Sequence, residues 1–565
     1  MGKAYWGAVF SILLLAACSQ TSPAGARLEP SYCEQAKVYQ NPITVSGRAL
    51  YQRRQFTGSG LGDTDPTSYP IRYAEIAVWQ DEQFLIQCAT TDGSGNFEFQ
   101  VPSTGLTYTL RLYSRGQNAY VNASVLNSPS ENEPYELTTT FVATGSPSLS
   151  DLVAPAKGTL EGGAFNIFDQ IVKANEFLRN QTLSCSASFS DCSPFTVAPK
   201  AVIYWAKGVN PASYFGLSAG ISFYSKDTKA LYILGGLTGD VDREDTDHFD
   251  NSVIIHEYGH FIEDHYSATD SPGGSHDANS IVDPRLAWGE GWANYFSLAV
   301  TGDPVYRDTS GNSDGVTYYF FSNNLETNSP SRDVPTSPGE GNFREFAITR
   351  ALWDMLDPHP VTGAGTNEAM IDSATAPFSE FWTVFSGASG IKNTSYHFRN
   401  YGLFMQLHDA LAGRTSLASI FTAELQRADQ ADYAATYATG GTCTYSMATT
   451  SVGEDGSPDT SNQLDSNDFY YLNHAGGTLT INLNRTAGTA DLDLYLYDSD
   501  YVFGRESDIV ASSTDPSPGD GGTEAVSLNL PAGKYMINVN LYTEQSFGNQ
   551  SASYKLLLNG AELCP

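Results

Sequence analysis

The chain has 565 residues, with 63 Asp and Glu against 30 Lys and Arg, which gives a formal net charge of -33. This balance argues against a nucleic-acid partner, because phosphate binding needs clustered basic side chains. The length is sufficient for about three or four domains, and strong acidity keeps an exposed protein soluble.

Residues 1–17 have the pattern of an export signal. The run MGKAYWGAVFSILLLAAC contains one Lys, an apolar stretch too short to span a bilayer, and small residues before Cys18. Its end, LAAC, resembles a bacterial lipoprotein box, which implies cleavage before Cys18 and a lipid on that residue. We therefore expect an exported protein anchored by lipid to the outer membrane or cell surface, followed by a linker over 18–40. A conventional signal peptide and a secreted protein are the alternative.

The cysteine count agrees with export. Seven cysteines would leave one thiol unpaired, whereas lipidation of Cys18 leaves six. In an oxidising compartment those six can form three disulfides, and pairing in sequence order is the simplest arrangement. The six are Cys33, Cys88, Cys185, Cys192, Cys443 and Cys564.

Residues 41–150 are predicted to form a small β-sandwich. Short segments rich in Val, Ile, Phe and Tyr are separated here by Gly, Asp, Ser and Pro. Asp92, Gly93, Gly95 and Asn96 fill a predicted hairpin turn. The order of GRALY, AEIAVWQ, TTDGSGNFEFQVP and YTLRLYS resembles the carboxypeptidase regulatory-like, transthyretin-like domain. The segment contains no set of catalytic groups, so we expect it to act in spacing, folding or surface contact.

Residues 151–440 change from strand-like to helical periodicity. A helix is predicted over Ala164–Leu178, then strands at AVIYWA, ISFY and ALYIL, then a helix over Asn251–His265. The strand Ala230–Leu234 is either a sheet edge that pairs with a peptide substrate or a buried strand. A later helix, Asn342–Asp357, has an apolar face and is predicted to support the core.

The run HEYGH predicts a metal centre. His256 and His260 are four residues apart on the predicted helix, so both imidazoles can face one metal ion. A catalytic zinc typically has three protein ligands and a water, and two His with one Glu is a known set. Glu290, in WGEGWAN, is the candidate third ligand. Glu257 is placed to take a proton from water, and Asn294 to support a ligand by hydrogen bonding.

HEYGH followed by a Glu in an EGWAN context resembles the gluzincin zinc metallopeptidases, a class that includes thermolysin-like and fungalysin-like enzymes. The resemblance spans about residues 160–440. It implies that His256, His260 and Glu290 bind zinc, that Glu257 is the general base and that Asn294 orients a histidine. The class also has a Tyr or His that stabilises the oxyanion, and this role stays unassigned. The candidates, for each of which a packing or surface role is the alternative, are Tyr318, Tyr319, His397 and His408.

An acidic segment, Gly239–Asn251, precedes the predicted helix that carries HEYGH. Oxygen-rich loops of this kind bind calcium, although this one lacks EF-hand spacing. A solvated loop that caps the helix is therefore an equal alternative. Its acidic residues are Asp240, Asp242, Glu244, Asp245, Asp247 and Asp250.

Residues 441–467 have the composition of a flexible linker, and residues 468–565 alternate apolar and polar residues, which predicts a second β-sandwich. DLDLYLYDSD and LPAGKYMINV resemble the bacterial pre-peptidase C-terminal domain. Asp491, Asp493 and Asp498 are further calcium candidates, with solubility as the alternative role. A bond from Cys443 to Cys564 would join the two ends of this segment.

The predicted fold is therefore multidomain α+β, with an N-terminal β-sandwich, a central α+β zincin-like catalytic domain and a C-terminal β-sandwich. The predicted function is zinc-dependent hydrolysis of peptide bonds in proteins or peptides outside the cytoplasm, with Zn²⁺ as the cofactor and Ca²⁺ as a candidate second metal. The alternative is a non-catalytic adhesion or scaffold lipoprotein with a structural metal site. Glu257 argues against that alternative, because structural zinc sites close every position and need no base.

Overall fold

The computed structural model describes residues 32–33, 36–57, 60–65, 67–158, 161–185, 191–239, 244–274, 276–310, 319–326, 333–335, 339–356, 376–393, 398–412, 417–426, 438–439, 442–448, 467–498, 506–514, 523–542 and 551–564. The chain divides into two compact units, one from 1–173, 197–257 and 308–321, the other from 174–196, 258–307 and 322–565. Several predictions fall outside the described residues: the signal segment with Cys18, most of the linker 441–467, and Asp240, Asp242, Tyr318, His397 and the side chain of Tyr319.

The first unit consists mainly of β-strands. They are β1 (Pro42–Tyr51), β2 (Arg54–Thr57), β3 (Gly60–Thr64), β4 (Tyr69–Pro70), β5 (Glu75–Gln80), β6 (Phe84–Thr90), β7 (Asn96–Pro102), β8 (Thr107–Tyr113), β9 (Arg115–Gln117), β10 (Asn122–Leu126), β11 (Glu136–Val142), β12 (Leu152–Ala154), β13 (Ala201–Tyr204), β14 (Phe223–Ser225) and β15 (Ala230–Tyr232).

Two sheets of this unit are built mainly from the segment predicted to form the N-terminal sandwich. One sheet contains β12, β1 and β4, with β7 also paired to β1, and the other has the order β11-β8-β5-β6. Alternate residues of β7 and β8 are buried, as expected for strands with one face on a core. The rings of Phe99 on β7 and Phe141 on β11 lie 6.2 Å apart, so the core lies between the two sheets.

A third sheet has the order β14-β15-β13-β10-β9. Strand β10 pairs in parallel with β13, so this sheet joins strands from both sides of the predicted boundary at residue 150. Strand β15 lies between β13 and β14, and all of its residues are buried. The interpretation of Ala230–Leu234 as a sheet edge for a peptide is therefore wrong, and the buried-strand alternative is correct.

The helices are α1 (Glu161–Gln181), α2 (Asn251–Tyr266), α3 (Pro284–Thr301), α4 (Glu345–Leu356), α5 (Phe378–Ser386), α6 (Tyr401–Ala412) and α7 (Ala418–Ala423), and two short strands, β16 (Val305–Ser310) and β17 (Tyr319–Asn324), pair with each other. Helix α3 has clear end signals. The Asp283 side chain accepts a hydrogen bond from the Arg285 N–H, Pro284 occupies the first turn, and Gly302 ends the helix at φ 67. Within the described residues, no helix has the length and apolar character needed to span a membrane.

The remaining strands are β18 (Ala438–Thr439), β19 (Tyr445–Ala448), β20 (Asn467–His474), β21 (Gly477–Gly488), β22 (Asp491–Asp498), β23 (Ile509–Ser513), β24 (Thr523–Leu530), β25 (Gly533–Tyr542), β26 (Ser551–Leu558) and β27 (Ala561–Cys564). One sheet has the order β20-β25-β22-β23, and the other has the order β18-β27-β26-β21-β24 with β19 on β26. Their inner residues form one apolar core, to which β21 contributes Leu479, Ile481 and Leu483. The predicted C-terminal β-sandwich is confirmed.

The outer face of this sandwich packs on the helical part of the second unit. Phe469, Tyr471 and Met536 form one buried cluster with Phe343 and Phe398. Phe343 is two residues before the first residue of α4, so the sandwich contacts the segment that leads into this helix.

Three disulfides join the described cysteines. They are Cys33–Cys88, Cys185–Cys192 and Cys443–Cys564, which is the pairing in sequence order. The last of them ties β27 to the segment that precedes β19.

Candidate metal centre

Helix α2 carries the HEYGH motif among buried residues. The apolar side chains of Ile254, Phe261 and Ile262 are fully buried, which anchors the helix in the interior. His256 and Glu257 are also buried. The ligand atoms of His256, Glu257 and His260 lie within 4.8 Å of one another on this single helix, as the four-residue spacing dictates.

Helices α2 and α3 approach each other closely at Gly259. The Trp292 indole N–H donates to the Gly259 carbonyl at 3.0 Å. A Cβ on Gly259 would lie only 3.0 Å from the Ala293 Cα, so a larger residue would push the helices apart. Gly259 of HEYGH therefore allows the close contact with Ala293 of WGEGWAN, and Trp292 of the same motif adds a hydrogen bond across it.

This approach brings one predicted ligand of each motif together. His260 Nε2 lies 3.3 Å from Glu290 Oε2. Two zinc ligands, each about 2 Å from the ion in a tetrahedral arrangement, are separated by roughly 3.3 Å. The nitrogen and oxygen donors and their separation thus fit a zinc ion.

His276 and Glu345 also lie in this region, although neither belongs to the two motifs. His276 Nδ1 lies 2.8 Å from Glu345 Oε2, and His276 Nε2 lies 3.6 Å from Glu290 Oε1. The ligand atoms of His276, Glu290 and Glu345 lie within 4.8 Å of one another. Because histidines beside a metal usually donate their second N–H to a carboxylate, Glu345 is suited to hold the His276 ring.

The position of Glu345 follows from the packing of α4 on α3. A Cβ on Gly291 would lie 2.6 Å from Ile348 Cγ2, so the second glycine of GEGWAN also permits a close helix contact. Asp333 Oδ2 accepts a hydrogen bond from the Phe346 N–H at the start of α4. Asp333 is buried, and burial together with the nearby Glu345 carboxylate raises its pKa to about 7.

Asn294 and His408, two further residues considered for the site, are both buried. Asn294 is buried on α3, and its carbonyl accepts a hydrogen bond from Ser297 Oγ at 2.8 Å; the orienting role of its side chain stays a prediction. His408 is fully buried, with Nε2 3.3 Å from Glu380 Oε2. The packing alternative is therefore correct for His408, because a fully buried ring does not reach a substrate.

Among the C-terminal calcium candidates, Asp493 has an unusual environment. It is buried in β22, and burial together with the charges of Asp491 and Glu524 raises its pKa to about 7. Asp498, at the end of the same strand, is exposed. The solubility alternative therefore does not apply to Asp493, whereas calcium binding stays a prediction.

Comparison with known proteins adds two family matches. Residues 194–401 match the Mycolysin C-terminal domain, and residues 466–541 match the bacterial pre-peptidase C-terminal domain. The first match contains both HEYGH and WGEGWAN. The second confirms the resemblance predicted for the C-terminal sandwich.

A curated relative is similar over part of the chain. Extracellular metalloproteinase 2 of Phaeosphaeria nodorum is 30% identical over 132 residues, which is 21% of this chain and 20% of that protein. The chain thus spans about a fifth of the length of this relative.

Solved structures match more distantly. The pre-peptidase C-terminal domain of a Bacillus anthracis collagenase is 16% identical, with 20% of this chain and 88% of that chain covered and a TM-score of 0.14. The lysozyme inhibitor PliG of Aeromonas hydrophila is 15% identical, with 20% and 85% covered and a TM-score of 0.13.

Proposed function

We propose that this protein is a zinc metallopeptidase that hydrolyses peptide bonds of proteins or peptides outside the cytoplasm. In this proposal His256, His260 and Glu290 hold the zinc, and Glu257 is the general base. The observation that carries it is the 3.3 Å separation of His260 Nε2 and Glu290 Oε2, which joins the two motifs. The Mycolysin match and the similarity to an extracellular metalloproteinase support the same class.

The chemistry follows from the placement of these side chains. Zinc, when bound, would supply a Lewis acid that polarises the scissile carbonyl and increases the acidity of a water molecule. Glu257, one residue after a proposed ligand on the same helix, accepts the proton of the attacking water at its carboxylate and later gives it to the leaving amine. Its burial excludes bulk water from the carboxylate, which favours proton transfer within the site.

We also propose that the protein is exported and anchored by a lipid on Cys18. Three disulfides support an oxidising compartment, because such bonds persist outside the cytoplasm. Palmitate labelling of the wild type, lost in Cys18→Ser, tests the anchor. Labelling that persists in the variant contradicts it and leaves secretion as the alternative.

The central experiment compares the wild type with Glu257→Gln. The wild-type protein should bind zinc and degrade casein or a peptide library, and a chelator should abolish the activity. The Gln variant should keep its zinc and lose at least about a hundredfold in rate, the usual size of a general-base contribution. Glu98→Gln, an exposed change on β7, is the matched control and should leave the rate unchanged.

Two outcomes decide between the alternatives. Full activity in Glu257→Gln contradicts the assigned base. A wild type that binds zinc but cleaves no peptide favours the non-catalytic adhesion or scaffold alternative. Mass spectrometry of the cleavage products identifies the residues that the enzyme prefers on either side of the bond.

A further inference from the structure

Four aspartates outside the HEYGH motif lie together where the chain enters α2. Carboxylate oxygens of Asp245, Asp247 and Asp308 lie within 4.8 Å of one another. Asp250, fully buried, lies beside them: its N–H donates to the Asp247 carbonyl at 2.9 Å, and its Oδ2 accepts hydrogen bonds from Thr309, the residue after Asp308. All four belong to the first unit.

The cluster concentrates negative charge in a buried place. Burial, followed by the charges of the neighbouring aspartates, raises the pKa values of Asp247 and Asp250 well above the usual range. Across the described part of the chain, Asp247, Asp250 and Asp308 form no ion pair with Lys or Arg. Carboxylates that share a dry site repel one another unless a cation or proton lies between them.

Neutral donors fix two of the carboxylates through one oxygen each. Asp250 Oδ2 accepts hydrogen bonds from the N–H and the hydroxyl of Thr309, at 2.5 and 2.7 Å. Asp247 Oδ2 accepts one from the Ser222 hydroxyl at 2.5 Å. Oδ1 of Asp250 and Oδ1 of Asp308 are buried and have no hydrogen-bond partner among the described residues. Buried acceptors of this kind are costly without a ligand.

We propose that Asp245, Asp247, Asp250 and Asp308 bind one calcium ion. All of the donors are oxygens, which suits a hard cation of high coordination number, whereas zinc sites usually contain nitrogen or sulfur. The solvated-loop alternative for the acidic segment is wrong for Asp247 and Asp250, because both are buried. This set shares no residue with the proposed zinc ligands, so the proposal does not depend on the catalytic one.

Calcium here would fix the entry of the metal helix. The Asp247 N–H donates to the Leu234 carbonyl at 3.0 Å, just beyond β15, and Asp308 belongs to β16. Asp250 is the residue before the first residue of α2. One ion would therefore join the end of the third sheet, β16 and the start of α2, so calcium should increase thermal stability.

The test is calcium binding and thermal unfolding of the full-length, zinc-loaded protein at pH 7.5, in buffer with a fixed free zinc concentration. Adding about 1 mM CaCl₂ should raise the unfolding temperature by a few degrees, and elemental analysis should find about one calcium per chain more in the wild type than in Asp308→Asn. Asp308→Asn should abolish both effects. Asp227→Asn, an exposed change in the turn between β14 and β15, should respond to calcium as the wild type does.

The calcium-free state separates an ion site from a merely structural cluster. Without calcium, Asp308→Asn should unfold at a higher temperature than the wild type, because one repelling charge is gone. If Asp308→Asn is less stable than the wild type without calcium and still gains stability from it, the proposal is overturned. Absence of calcium binding by the wild type overturns it as well. Asp245→Asn provides the same comparison should Asp308→Asn fail to fold.

Discussion

The indole N–H of Trp292 donates a hydrogen bond at 3.0 Å to the carbonyl of Gly259, 33 residues earlier, and so joins the two motifs. The bond lies at a close contact of α2 and α3, and the two helices place His260 and Glu290 3.3 Å apart. The proposed ligands are thus positioned by residues that cannot themselves bind a metal. The geometry of the site should be sensitive to the packing of these helices.

Gly259→Ala is expected to weaken zinc binding. The added Cβ would lie 3.0 Å from the Ala293 Cα and 3.3 Å from its Cβ, so the helices must separate slightly. Alanine favours the helix by about 1 kcal/mol, whereas overpacking costs about 1–3 kcal/mol. We therefore expect a small change in stability but a loss of about tenfold or more in zinc affinity, measured by competition with a chromogenic chelator.

Gly289→Ala is the matched control. Gly289 lies on the same helix as Glu290. A Cβ added to it would make only an ordinary contact, 3.4 Å from Glu263 Oε2. Its zinc affinity should equal that of the wild type. Equal affinity in both alanine variants would show that the close approach at Gly259 does not position the ligands.

Individual helices differ in how far their boundaries can be predicted from the sequence. The helix predicted over Asn251–His265 is present as Asn251–Tyr266, because a strong apolar period and a fixed ligand spacing reinforce each other. The helix predicted to start at Asn342 starts at Glu345 instead, after a short 3-10 turn over Glu340–Phe343. Boundaries depend on tertiary capping, here by Asp333, which lies in a segment without periodicity.

The role of His276 could not be predicted for a similar reason. This residue lies in a loop rich in Gly, Ser and Asp, where no period relates it to Glu290 or to Glu345. The only available signal was the presence of a histidine between the two motifs. Likewise, the sheet order that places β15 between β13 and β14 depends on pairings between distant strands.

His276→Asn and Glu345→Gln are each expected to lower zinc affinity by about 10- to 100-fold, the usual cost of removing a group that orients a metal ligand. Glu345 holds the His276 ring at 2.8 Å, and that ring lies beside Glu290. Because the two residues act in series, the double variant should bind zinc about as weakly as the weaker single variant.

Isothermal titration of the zinc-free protein measures these affinities. His474→Asn, in the C-terminal sandwich, is the control for loss of a histidine. Strictly additive losses in the double variant would mean that His276 and Glu345 act independently, and unchanged affinity in all three variants would remove both residues from the metal centre.

Asp493 should make the C-terminal sandwich less stable as the pH rises. Its pKa in the folded protein is about 7 because of burial and then the charges of Asp491 and Glu524, whereas an unfolded Asp titrates near about 3.9. The folded state therefore holds more protons between about pH 4 and 7. The stabilising contribution is complete below about pH 4 and is lost as the pH rises through about 7.

Asp493→Asn should remove this dependence. In urea unfolding without calcium, the wild-type sandwich should lose about 2 to 4 kcal/mol between about pH 4 and 8 that the variant does not lose. Asp508→Asn, outside the strands of this sandwich, serves as the control. Parallel pH profiles for the wild type and Asp493→Asn would show that this carboxyl titrates normally in the folded protein.

The disulfides should differ in their contribution to stability. Cys443 and Cys564 are 121 residues apart and Cys185 and Cys192 only 7, and a crosslink stabilises mainly by restricting the unfolded chain. Loop-closure entropy predicts a loss of about 5 kcal/mol when Cys443 and Cys564 are both replaced by Ala, and about 2.5 kcal/mol for the shorter pair. Urea unfolding at about pH 7 measures both losses. The double variant Cys33→Ala with Cys88→Ala should lose an intermediate amount of stability, because these cysteines are 55 residues apart. A larger loss for the 7-residue pair would contradict the chain-entropy explanation and would mean that contacts of the buried Cys185 and Cys192 in the folded state determine the effect.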